Sequence, residues 1–125
     1  MKPSRQLLGQ NGEQAAVDYL LKNDYRILSR NYRYSRSEID IIAINNNTIV
    51  FVEVKSYRSK PLEAAEFRVN TKKQRQIIQG AYGFLYENIG YEKMDVRFDV
   101  IIIDFSVYPA DITHHQAAFW LDEPF

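Results

Sequence analysis

The feature that most restricts the fold is a pair of β-branched-rich runs, Ile39 to Ile44 and Thr48 to Ser56, joined by Asn45-Asn46-Asn47. Asparagine tolerates the positive φ that a tight turn demands, so the junction reads as a β-hairpin. A two-residue turn at Asn46-Asn47 pairs residues whose numbers sum to 93, which sets Asp40 opposite Glu53 and Glu38 opposite Lys55. A three-residue turn would change the parity and send Asp40 and Glu53 to opposite faces. Side chains alternate along a strand. Glu38, Asp40, Ile42 and Ile44 therefore share a face, as do Ile49, Phe51, Glu53 and Lys55, while Val50, Val52 and Val54 share the reverse.

The remaining elements follow from periodicity. Gly9 to Leu21 has Ala16, Val17, Leu20 and Leu21 on one helical stripe, ended by Asn23-Asp24. Tyr25 to Arg33 is extended and mixes Tyr and Arg with Ile27 and Leu28, as an exposed edge strand would. Arg58 to Val69 contains Pro61 and a short helical segment around Glu63-Ala64-Ala65-Glu66. Thr71-Lys72-Lys73-Gln74 has the form of a capping box with Thr71 at the N-cap. The helix behind it runs to about Asn88, with Ile77, Ile78, Ala81, Phe84 and Leu85 on its buried stripe. Asp95 to Phe105, with Val100-Ile101-Ile102-Ile103, predicts a strand covered on both faces. The order is α-β-β-β-α-β plus a C-terminal appendage holding His114-His115 and Phe119-Trp120, an α/β layer with a mixed sheet.

Composition narrows the function. A chain of 125 residues predicts one domain able to bury a core without staples. Cysteine is absent, which excludes disulfides, thiolate zinc sites and thiol nucleophiles and fits a reducing compartment. No apolar run approaches the roughly 20 residues of a membrane span, and no signal-peptide core follows Met1. A soluble, cytoplasmic protein is expected. The formal net charge is zero, yet residues 1–80 hold 14 Lys and Arg against 8 Asp and Glu, while residues 81–125 hold 2 against 8. Such asymmetry is expected of a chain with one polyanion-facing side, or of clustering on a solvated surface.

The hairpin carries the chemistry. Directly opposed residues have Cβ atoms about 4.5–5.5 Å apart, where like charges repel, so Asp40 and Glu53 require a proton or a cation between them. A hard cation such as Mg²⁺ binds carboxylate oxygens and keeps several waters, so two or three carboxylates are the expected protein share. It lowers the pKa of a bound water, and Lys55 can orient that water or neutralise charge on a phosphate. The competing reading is a surface ion-pair ladder of Glu38, Asp40, Glu53 and Lys55; the apolar neighbours Ile42, Ile44, Ile49 and Phe51 argue against it. Glu13 precedes Ala16, Val17 and Leu20 at helical spacing, which places it on the buried stripe, as a third ligand or an outer carboxylate.

Gly9-x-x-Gly12-Glu13, Arg30-Asn31-Tyr32-Arg33, Glu38-Ile39-Asp40, Val50-Phe51-Val52-Glu53-Val54-Lys55 and Arg97-Phe98-Asp99-Val100 together resemble the YraN-type family. That family has a PD-(D/E)XK restriction-endonuclease-like fold akin to archaeal Holliday-junction resolvases. The resemblance runs from about Gly9 to Phe119, with Ser37 where relatives usually carry Gly. It implies that Asp40, Glu53 and the backbone carbonyl of Val54 bind Mg²⁺ or Mn²⁺, that Lys55 is the catalytic lysine and that Glu13 is the helix acid.

Arg33, Arg36, Arg58, Lys60, Arg68, Lys72 and Lys73 flank the hairpin and open the second long helix, as phosphate-contacting residues would. Lys73 and Gln74 are candidates for reaching the scissile phosphate. Tyr25, Tyr32, Tyr34 and Tyr57 interleave with the arginines and serve either as packing or for stacking on bases. His114 and His115 are adjacent on an extended segment and cannot share one ion; Asp99 is expected to pair with Arg97. The expected activity is metal-dependent hydrolysis of structured or branched DNA, with a homodimer for symmetric cuts. The alternative is a non-catalytic nucleic-acid-binding or adaptor module.

Overall fold

The computed structural model describes residues 5–59 and 69–119. The elements in order are α1 (Arg5–Lys22), β1 (Arg26–Tyr34), β2 (Ser37–Asn45), β3 (Thr48–Tyr57), α2 (Thr71–Glu87), β4 (Asp95–Asp104) and β5 (Asp111–Phe119). The strands form one sheet in the order β1-β2-β3-β4-β5. Every neighbouring pair is antiparallel except β3 and β4, which run parallel across the α2 crossover. This is the mixed α-β-β-β-α-β core expected from the sequence, extended by one strand. The expected helical segment at Glu63–Glu66 and the residues Lys60, Arg68 and Trp120 lie outside the described residues.

Each sheet face carries one helix. Ala16, Val17 and Leu20 of α1 pack on Ile41, Ala43, Val50, Val52, Ile101 and Ile103. Ile77, Ile78, Ala81 and Phe84 of α2 pack on Ile42, Ile49, Phe51, Phe98, Val100 and Ile102. The alternation of β3 and β4 between these two clusters explains their nearly continuous apolar sequence, since both faces are covered. The Asn46-Asn47 turn has the expected two-residue form, with Asn46 at φ 55°. Its register pairs Asn45 with Thr48 and Ile41 with Val52.

Two expectations need correction. The N-cap of α2 is Asn70, not Thr71: its side-chain oxygen accepts from the Lys73 N–H at 2.8 Å. Gln74 then reaches back to the Val69 carbonyl at 2.8 Å, so no reciprocal box closes on Thr71. The C-terminal appendage is β5, paired with β4 and bulged between Phe98 and Val100. Its residues alternate poorly in polarity because one edge strand, mostly exposed, has little to bury. Among the described residues, no helix is long and apolar enough to cross a membrane.

Candidate metal centre and nucleic-acid interface

The site forms where β2 parts from β3. The β2–β3 register runs from Asn45 to Ile41, one step short of pairing Asp40 with Glu53. On the other side of β2, Arg30 pairs with Ile41 and Tyr32 with Ile39, again passing over Asp40. The strand's alternation slips at the same place. Ile39 and Ile42 both join the α2-side cluster, whereas Ile41 and Ala43 join the α1 side. Asp40 is thus released from both ladders, and its carboxylate Oδ2 accepts from the Val54 N–H at 2.8 Å. In an antiparallel ladder a residue directs its N–H and C=O to the same side. The Val54 carbonyl therefore faces the gap that Asp40 occupies. The expected pairing of Glu38 with Lys55 is not made; Glu38 pairs with Arg33 of β1 instead.

Glu53 is buried at 8 % exposure. Its carboxyl is pushed up to about 8, first by burial and then by the hydrogen bond and negative charge of Asp40, against the opposing charges of Lys73 and Lys55. Lys73 stands 3.6 Å from Glu53 Oε2. The hairpin register thus brings Asp40 and Glu53 together as the sequence predicted, although through side chains beyond the end of the ladder.

Glu13 reaches the same gap from α1. Gly12 permits this: a Cβ there would lie 2.6 Å from Ser56 Oγ and 2.7 Å from Ser56 Cβ, so only glycine lets the helix rest on the end of β3. The Ser56 hydroxyl donates to the Leu8 carbonyl at 3.3 Å. Burial, then the charge of Asp40, raises the Glu13 carboxyl, while Arg30 and a hydrogen bond from Asn31 oppose the rise. Its Oε1 is buried and has no hydrogen-bond partner among the described residues. Arg30 and Asn31 were assigned no role by sequence reasoning. The usable signal was their place in Arg30-Asn31-Tyr32-Arg33, with Asn31 at φ 52°, a conformation asparagine adopts readily.

Among the described residues, no three His, Asp or Glu side chains converge tightly enough to hold a metal by themselves. The donors present are a close carboxylate pair, the Val54 carbonyl and the unsatisfied Glu13 oxygen. An all-oxygen set with few carboxylates fits Mg²⁺ or Mn²⁺, which retain waters. The orphaned Glu13 Oε1 fits too, because a buried acceptor without a donor is accounted for by a cation or a cation-bound water.

Of the expected phosphate-binding residues, Arg33, Arg36 and Lys72 are exposed, and Arg58 is exposed just past β3. Lys73 turns inward to Glu53. Gln74 is half-buried and committed to Val69. Tyr25 is buried with its hydroxyl accepting from Arg97 at 2.7 Å, and Tyr32 packs edge-on against Phe84 and donates to Glu87. Neither is available for stacking. Asp99, fully buried, takes two bonds from Arg97 at 2.9 Å and one contact from His114 Nε2 at 2.7 Å. The Ala117 N–H adds a further bond at 3.0 Å where β5 bulges. His114 and His115 face opposite ways, one buried by its side chain and the other exposed.

The sequence model of the "Uncharacterised protein family UPF0102" matches residues 12–103. A "UPF0102 protein" of Prosthecochloris aestuarii is 43 % identical over an alignment of 125 positions, covering 92 % of this chain and 94 % of that one. Another from Alkaliphilus oremlandii is 45 % identical over 113 positions, covering 90 % and 97 %. One from Geobacter metallireducens is 43 % identical over 116, covering 91 % and 93 %. A match over most of the chain, together with relatives of this closeness and coverage, makes the chain a member of the UPF0102, or YraN, family.

Proposed function

We propose that the protein is a Mg²⁺- or Mn²⁺-dependent endonuclease that hydrolyses phosphodiester bonds in structured or branched DNA. The observation that carries this reading is the buried Glu53 held against Asp40, a pair whose repulsion only a proton or a cation relieves. Asp40, Glu53 and the Val54 carbonyl would hold the ion, with Glu13 taking a bound water through its unsatisfied oxygen. The ion would lower the pKa of a bound water and polarise the phosphate. Lys55 and Lys73 both place positive charge beside Glu53, where a scissile phosphate would acquire negative charge in the transition state. Arg33, Arg36, Arg58 and Lys72 would bind flanking phosphates without reading sequence. A homodimer using the edge strand β1, which pairs on one side only among the described residues, would suit paired cuts.

The test is cleavage of labelled linear, flapped and four-way DNA, with and without Mn²⁺. Cutting that requires the metal and is abolished in Glu53→Gln supports the reading. DNA binding without cutting on any substrate would replace it with the non-catalytic binding module.

A further inference from the structure

We propose that a tyrosine-walled cleft between the β1–β2 turn and the outer stripe of α2 is a stacking subsite for an unpaired nucleobase, beside the carboxylate site. Tyr34, Ser37, Gln79, Tyr82, Gly83 and Tyr86 line about 480 Å³. That volume lies within the roughly 300–1,000 Å³ of small-molecule clefts. The inference rests on the nucleic-acid reading above and names the feature of the substrate that the protein recognises.

Three observations select the occupant. The rings are exposed together, Tyr34 at 36 %, Tyr82 at 44 % and Tyr86 at 80 %, although tyrosine on a surface with nothing to bind is ordinarily dispersed. Gly83 seats one of them: a Cβ there would fall 2.1–2.4 Å from three ring atoms of Tyr34, so the ring lies directly on the helix backbone. Cations stand on both sides. Arg75, Gln79, Tyr82 and Tyr86 follow one another at spacings of four, three and four on a single helical stripe, with the exposed Lys72 one turn before Arg75. Exposed Arg36 lies in the turn between Tyr34 and Ser37, and none of the described lining residues is acidic. Aromatic faces bordered by separated positive charges match a base with its flanking phosphates.

The position matters for the reaction. Ser37 is three residues from Asp40 along β2, about 10 Å at the usual strand rise. The other end of the α2 stripe leads towards Lys73, which meets Glu53. A strand with one base in the cleft can therefore continue past the carboxylates. Only DNA with an unpaired base, at a flap, branch or gap, can fill such a subsite without the energy needed to unstack a duplex.

The experiment measures binding in EDTA, so that it does not depend on cleavage. The probes are labelled oligothymidylate, the same backbone with abasic sites, and a blunt duplex, read by fluorescence anisotropy. The intact protein should bind oligothymidylate about tenfold more tightly than the abasic strand, the size of one base–aromatic stack. Tyr82→Ala/Tyr86→Ala should erase that preference while leaving duplex affinity unchanged, and the corresponding Phe variants should retain it. If the double variant does not fold, Tyr86→Ala at the more exposed position serves alone. No preference for bases in the intact protein, or equal losses on all three probes, would overturn the subsite. Either result leaves Glu53-dependent cleavage standing or falling on its own test, and base-selective binding would stand even if nothing were cut.

Discussion

Replacing Glu53 by Gln should make the metal-free protein more stable at neutral and alkaline pH, and not at acid pH. The carboxyl is raised from 4.5 to about 8, chiefly by burial and secondarily by Asp40. In the unfolded chain it ionises near its ordinary value, so between these two pH values the folded state binds a proton that the unfolded state has released. Stability contributed by this group is thus complete below about pH 4.5 and drains away as pH rises towards 8. At about 1.4 kcal/mol per pH unit the ceiling is roughly 5 kcal/mol. Sharing of the proton with Asp40, and relaxation around the ionised pair, should bring the measured loss to a few kcal/mol. Gln keeps the shape and hydrogen-bonding capacity without titrating. Urea unfolding of both proteins from pH 4 to 9 in EDTA should give curves that coincide at pH 4 and diverge towards pH 8. Adding Mn²⁺ at ten times its dissociation constant should return about 1.4 kcal/mol to the parent and nothing to the variant. Parallel curves across the whole range would refute the buried Asp40–Glu53 pair.

Asp99→Asn should destabilise the fold by about 2–4 kcal/mol in urea, because the half-buried Arg97 would lose its counter-charge and the fully buried carboxylate's bonds to His114 and the Ala117 N–H would be weakened. Burial opposes ionisation of Asp99, but His114, Arg97 and the Ala117 N–H outweigh it and hold the carboxyl below its usual range. The parent's advantage should therefore persist above the unfolded-state value and vanish only as pH falls through the folded one; a loss under 1 kcal/mol would contradict the network. Gly12→Ala should cost about 1–3 kcal/mol from its collision with Ser56, whereas Gly9→Ala, with nothing within 4 Å, should be neutral or stabilising. Thermal melts of the two variants separate them, and equal effects would remove the close approach of α1 to β3. DNA affinity should fall steeply with added salt, and Arg36→Ala and Lys72→Ala should each lower the slope of log K against log salt by about 1. A salt-independent affinity would exclude a phosphate-dominated interface.

How much of this was legible in the sequence depended on whether a residue's role was local. The Asn46-Asn47 turn sets the register by itself, which is why Asp40 and Glu53 could be placed together from their numbers alone. The apolar stripe of α2 and the two-sided burial of β3 and β4 were equally readable as periodicity. The departure at Asp40 was not, because the slip in β2 depends on strands on both sides and on Asn31 stepping into a left-handed conformation. β5 escaped for another reason. Its pairing is stabilised by backbone hydrogen bonds and by His114 on Asp99, neither of which requires alternating polarity. The N-cap of α2 was misplaced by one residue because Asn70 and Thr71 are both good caps, and the backbone at φ −69°, ψ 164° selected the first.

The parallel pairing of β3 with β4 also has a consequence for the order in which the molecule assembles. Thr48 meets Asp95 only after the 46 intervening positions, including α2, have been drawn into a closed loop. The three strands before it pair with immediate neighbours through short turns. Contacts that close long loops form late and slow folding. The nucleus should therefore be the β1-β2-β3 meander, which already brings Asp40 beside Glu53. Lys73 can join them only with the crossover. The two acidic groups thus meet before the cation that tempers them arrives. If the meander is the nucleus, their repulsion should slow its formation, and refolding should be faster with a divalent ion or in mildly acidic solution; equal refolding rates under these conditions would argue against it.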